Sequence, residues 1–232
     1  RPALALVDPE LTLTCPAHVT AESGMDALTH AIEAFTARHP SDLAASDDED
    51  LPYPGKNPMA DAFAEKAIRL IGKHLERVID YPDDIKAREG MALAATSAGL
   101  AFSNGAVAIV HALEYPMGVA LHCSHGQGNG LLLPYVMRFN LSARKETFAK
   151  IANFLGCETN NLSVDQAANA AIEKVESIKK KAGIPGRIRN IGGNREQLAS
   201  FADKSIQINR LMDINPIQPS REDLLSILES AY

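Results

Sequence analysis

Cysteine, net positive charge and long apolar runs are all scarce in this chain of 232 residues. Its three cysteines, Cys15, Cys123 and Cys157, are odd in number, far apart and without a C-x-x-C pair. They read as reduced thiols of a cytoplasmic-type compartment, with a mitochondrial location left open, and exclude a disulfide framework or a zinc knuckle. A formal net charge of −6 argues against attraction to nucleic-acid backbones or anionic membranes. The longest apolar candidates, around Ala106–Val110 and Leu131–Leu133, fall far short of a bilayer span. No charged-then-apolar signal pattern opens the chain. An initiator methionine is lacking too: Arg1-Pro2 runs at once into an apolar stretch, which predicts a fragment or processed chain with something missing upstream.

Alternation of period two is also nearly absent. Ala3–Val7, followed by Asp8-Pro9, predicts one brief strand ending in a turn, the tail of an earlier domain. After it helical spacing dominates, and the chain reads as all-α with no internal repeat. Thr20 is the expected cap of a helix carrying Met25, Leu28, Ile32 and Phe35 on one apolar face, which gives way near His39-Pro40. Residues 41–57 are polar, contain Asp47-Asp48-Glu49-Asp50 and predict a long exposed loop whose acidic run is solvated. A strong helix follows over about 58–79, then one rich in small residues around Met91–Phe102, suited to close helix–helix approach. Further helical stretches are expected near 105–115, 128–139, 143–155, 164–182, 195–204 and 221–231. Ser220-x-x-Asp223 resembles the start signal of the last, and Lys179-Lys180-Lys181 marks a helix C-terminus where cations meet the negative dipole end.

The residues that carry chemistry are few. Asp26 and His30 are four apart on the first strong helix, a spacing that stacks both side chains on one face. A carboxylate and an imidazole so placed can reach one cation, although a simple Asp–His hydrogen bond explains the pair at least as well. His111 lies in an apolar stretch where an unpaired imidazole would be costly, and His125 stands before a glycine-rich run, Gly126-Gln-Gly128-Asn-Gly130. One carboxylate with three imidazoles suits Fe²⁺ or Zn²⁺. On this chemistry the metal and metal-free readings are balanced, and His122, three residues before His125, is an alternative ligand. His18, His39 and His74 read as surface histidines. The glycine run lacks a preceding strand and the Lys-Ser/Thr of a P-loop, so a hinge beside the site is expected rather than a phosphate cradle. No G-x-S-x-G elbow is present.

Taken together the segments resemble the C-terminal domain of the iron-containing (group III) alcohol dehydrogenases. The resemblance runs through Ala5-Leu-Val-Asp8-Pro9, Glu22-Ser-Gly-Met-Asp26-Ala-Leu-Thr-His30-Ala-Ile-Glu33, Asn57-Pro-Met-Ala-Asp61, His125-Gly126 with Leu133-Pro134, Gly183-Ile-Pro185 and Asn215-Pro216. These pieces cover nearly the whole chain in order. The resemblance implies one metal ion held by Asp26, His30, His111 and His125, and it selects His125 over His122 because the family ligand stands directly before the glycine. It implies a helical-bundle domain of the dehydroquinate-synthase-like fold over residues 14–232, with residues 1–13 the end of a missing N-terminal α/β domain and its connector. That missing domain would carry the Gly-rich turn for NAD(P).

Where many members have a second histidine, this chain has Tyr115, which is expected to form a pocket wall or take part in a proton relay. The Glu114-Tyr-Pro-Met-Gly118 version, with the loop ending Tyr53-Pro-Gly-Lys-Asn57, leans towards the hydroxyacid–oxoacid transhydrogenase-like branch. The expected function of the full enzyme is reversible oxidation of a primary alcohol or hydroxyacid with NAD(P), the metal being Fe²⁺ or alternatively Zn²⁺. A homodimer is among the assemblies the resemblance allows. Two rivals are kept: a dehydroquinate-synthase-type metal-dependent lyase, and a catalytically inactive metal-binding fragment.

Overall fold

The computed structural model describes residues 3–43 and 54–232, so the acidic run at Asp47–Asp50 and Tyr53 lie outside the described residues. Among the described residues ten α-helices follow in order: α1 Ala17–Thr36, α2 Pro58–Asp80, α3 Ile85–Asn104, α4 Ile109–Leu121, α5 His125–Asn140, α6 Lys145–Phe154, α7 Val164–Lys181, α8 Arg195–Ser205, α9 Asn209–Ile214 and α10 Arg221–Ala231. No strand occurs among the described residues. The expected strand at Ala3–Val7 is therefore corrected: these residues are exposed and lie against no partner strand, without which a strand's backbone groups stay unpaired. Asp8 instead caps a short 3₁₀ turn, accepting from the Glu10 N–H at 2.9 Å.

The helix starts are written in the sequence. Asn57, Asp84, Ser124, Ser163, Asn194 and Ser220 each accept a backbone N–H at the head of α2, α3, α5, α7, α8 and α10. Ser163, Asn194 and Ser220 complete reciprocal boxes with Gln166, Gln197 and Asp223. The expected cap at Thr20 is wrong. α1 begins at Ala17 behind Pro16, and Thr20 lies buried within it, accepting from Arg88 Nη1 at 2.8 Å. α4 likewise continues past its expected end at Tyr115, through Pro116. Proline at that position cannot bond the Ala112 carbonyl, and Ser205 Oγ from α8 supplies a donor to it at 2.8 Å. α9, too short for periodicity to reveal, was not anticipated.

α1 is the central helix. It packs on α2, α3 and α5, and is buried on most sides rather than along the single stripe predicted. α4 packs on α5 and α8, α6 on α7, and α10 on α8. Met25, Leu28, Ile68, Ile71, Leu75, Leu113, Leu131, Phe148 and Phe201 form one continuous core. On α3 the small residues Ala87, Ala94, Ala98 and Ala101 are fully buried, which permits the predicted close approach. His74, expected on the surface, is half-buried with its ring pressed on Gly90, where a Cβ would overlap it. No single helix among the described residues is long and apolar enough to cross a membrane.

Candidate metal centre

Three helices bring the chemistry together. α1 delivers Asp26 and His30 one turn apart, α4 delivers His111 from its first turn, and α5 delivers His125 as its first residue. One donor atom from each of the four lies within 4.8 Å of the others. Asp26 Oδ1 is 3.9 Å from His111 Nε2 and 3.7 Å from His125 Nε2, while Asp26 Oδ2 is 3.6 Å from His30 Nδ1. His122 is not in the group. It is exposed, in the left-handed conformation at φ 53° where α4 ends, and it turns the chain into α5. His18 and His39 are exposed, as expected.

The glycine run is not a hinge; it forms the first turns of α5. Its glycines are needed because helices approach closely there. A Cβ on Gly126 would stand 2.6 Å from the Glu22 carbonyl carbon, and one on Gly130 would stand 3.1 Å from Met25 Cβ. The same contact is pinned by Glu22, which accepts from Ser124 Oγ at 2.6 Å and Gln127 Nε2 at 3.3 Å. α5 is thereby seated on α1 with His125 beside Asp26.

Three buried residues that sequence reasoning missed orient the donors. Glu33 Oε2 accepts from His111 Nδ1 at 2.6 Å, and its other oxygen accepts the Val110 N–H at 2.7 Å. α4 has no side-chain cap of its own, so this carboxylate from α1 serves its first turn. Glu114 Oε2 accepts from His125 Nδ1 at 2.5 Å. It fits in a slot opened by Gly118 and Gly128, whose missing side chains leave room for it. With a carboxylate accepting at each Nδ1, the Nε2 atoms of His111 and His125 are left to converge on one place. Asn129 is the third, its Nδ2 directed at the same place. A signal existed for two of them: Asn129 follows His125 by four, and Glu33 follows Asp26 by seven, both on-face spacings.

Electrostatics separate two imidazoles of the cluster, His30 and His125. Burial holds His30 down at about 4, with the neighbouring His111 and His125 rings adding to the effect and Asp26 opposing it, so its ring is neutral near pH 7. The hydrogen bond to Glu114 pushes His125 up, against burial. Aromatic contacts wall the cluster: His30 stacks between Phe102 and His111 at 4.5 and 4.7 Å. Tyr115 stacks on His125 at 6.0 Å and meets the His111 ring edge-on at 6.3 Å. The donors fit a divalent transition metal. They are one carboxylate and three imidazoles, with two rings locked in the tautomer that presents Nε2.

Fold and cluster together define an all-helical domain built to present one carboxylate and three imidazoles to a common point. Residues 49–232 match the model of the Fe-containing alcohol dehydrogenase family, C-terminal, and the chain belongs to that family. It is 35% identical over 231 residues to a 1,3-propanediol dehydrogenase of Citrobacter freundii, covering 100% of this chain and 55% of that protein. It is 36% identical over 230 residues to an NAD-dependent methanol dehydrogenase of Bacillus methanolicus, covering 99% and 56%. The crystal structure of a 1,3-propanediol oxidoreductase superposes with a TM-score of 0.88 at 34% identity, covering 97% of this chain and 55% of that one. The chain thus spans about half the length of the curated relatives it matches.

Proposed function

We propose that Asp26, His30, His111 and His125 hold one divalent metal ion, Fe²⁺ with Zn²⁺ as the alternative. In this reading the chain is the metal-binding half of an NAD(P)-dependent dehydrogenase of primary alcohols or hydroxyacids. The observation that carries it is the convergence of four donor atoms within 4.8 Å while two carboxylates hold the protons on the far ring nitrogens. The ion would supply a Lewis acid that polarises the substrate oxygen. The nicotinamide, bound by a preceding α/β domain, would accept or return the hydride.

The chain's own residues do the arranging. Glu33 and Glu114 keep the His111 and His125 tautomers fixed, and the neutral His30 ring has a lone pair to offer. Phe102 and Tyr115 flank the cluster and limit water around it. Tyr115 is then a pocket wall, beside the exposed edge of His125. In the same reading residues 1–13, with Leu4, Leu6 and Leu11 at 85, 90 and 80% exposure, are the end of a preceding α/β domain and its connector, and residues 14–232 are the metal-binding domain.

The lyase reading is disfavoured by charge. A polyanionic substrate calls for cations at the site, and the charged residues set around these imidazoles are Asp26, Glu33 and Glu114. Metal analysis of the chain beside His111→Ala and His125→Ala tests the assignment. Near-stoichiometric metal in the parent and loss in both variants is expected; unchanged stoichiometry in the variants would sink it. The chain alone is expected to show little dehydrogenase activity, and robust NAD(P)H formation from an alcohol would overturn the division of labour between the two halves.

A further inference from the structure

Asn129 is the polar side chain whose presence the ligand set does not explain. It lies four residues after His125, on the same face of α5, and is fully buried. Its Nδ2 donates to Asp26 Oδ1 at 2.7 Å and lies 3.1 Å from His125 Nε2 and 3.2 Å from His111 Nε2. Among the described residues it is the hydrogen-bond donor to the Asp26 carboxylate; the three histidines stand 3.6–3.9 Å from that group.

The neighbours set the amide's orientation. Turned the other way, its carbonyl oxygen would face a carboxylate and two imidazole lone pairs, acceptor against acceptor. The consequence shows on the opposite side, where Oδ1 is buried and accepts no hydrogen bond. An unpaired buried carbonyl is destabilising, and a leucine, with the same branched shape, would avoid it. An amide retained there, touching three of the four proposed ligands, serves the site more than the fold.

We propose that Asn129 is a positioning residue of the metal centre. Its Nδ2–H group aims the Asp26 carboxylate and closes the buried side of the donor cluster. Substrate is left the exposed side, beside His125 at 44% and Tyr115 at 37% exposure. The inference rests on the metal reading above. When a carboxylate ligand loses such a partner, metal binding weakens about 10–100-fold.

The test is a Co²⁺ titration of the 232-residue chain, Asn129→Leu and Asn129→Ala, read by visible ligand-field absorption, with far-UV circular dichroism of each protein. The expected result is parent-like helicity in both variants, a Co²⁺ dissociation constant raised about 10–100-fold, and an altered ligand-field spectrum. An unchanged constant and spectrum in a folded variant overturns the proposal. So does loss of helicity in both variants, which assigns Asn129 to the core. A parent chain that takes up no Co²⁺ strikes instead at the metal reading, so the two failures are distinguishable.

Discussion

Glu33 offers the sharpest test of how the site is held. Its carboxylate is 4% exposed and accepts two hydrogen bonds, from the Val110 N–H at 2.7 Å and from His111 Nδ1 at 2.6 Å. Glu33→Ala removes both and leaves two buried donors without a partner. Hydrogen bonds to a charged group contribute about 1.5–3 kcal/mol each, so the loss is about 3–6 kcal/mol. For a chain of this size that lowers the melting temperature by about 6–24 °C. Glu33→Gln separates stability from metal binding. Its carbonyl can still accept the Val110 N–H, but its amide nitrogen then faces His111 Nδ1 as a donor. The ring must shift its proton to Nε2, the atom that faces the cluster. Melting is therefore expected to fall much less than for the alanine variant, while metal affinity falls about 10–100-fold. Thermal melting and Co²⁺ titration read both quantities. An alanine variant melting within about 2 °C of the parent would refute the hydrogen-bond reasoning. A glutamine variant with parental affinity would refute the tautomer argument.

Gly126→Ala drives a Cβ into the Glu22 backbone, which cannot yield by a rotamer change. Overpacking of this kind is expected to cost about 1–3 kcal/mol and to weaken metal binding, because α5 carries His125 in the adjacent position; a parental melting curve would count against the close seating of α5 on α1. Gly99→Ala is the control within α3, since a Cβ there meets nothing within 4 Å. It should stabilise by about 0.4–1 kcal/mol, readable in urea unfolding, and a destabilised variant would contradict the open packing there. Burial, assisted by the Lys73 and Arg77 charges, holds His74 below its usual value, so the folded chain favours its neutral ring. That contribution to stability is complete above about pH 6.5 and is lost as the pH falls below it, through the depressed folded value. His74→Gln should lose less stability than the parent between about pH 7.5 and 5, and parallel urea midpoints would refute this.

Much of the helical framework was legible because its signals are local. Ser220 and Asp223 box the start of α10, and the lysines at 179–181 fall in the last turn of α7, as expected. Ala3–Val7 misled because its apolar composition resembles a strand, while strand formation depends on a partner. Thr20 misled because a threonine before an apolar run has the composition of a cap, and only the packing of α3 shows its hydroxyl serving Arg88. The glycines at 126, 128 and 130 looked like freedom of the backbone. They are instead places where Glu22, Glu114 and Met25 come too close for a side chain.

Local spacing determined that Asp26 and His30 share a helical face, and which residue types could meet a metal. Whether His111 and His125 join that pair depended on contacts with residues 81 and 95 positions after His30, which no local spacing encodes. Tertiary structure alone decided that Glu33, Glu114 and Asn129 surround the donors, because their roles exist only once α1, α4 and α5 are packed. It also decided the direction of the lone pairs. A histidine in a sequence has two equivalent nitrogens in prospect; the buried carboxylate at Nδ1 is what leaves Nε2 to face the common point.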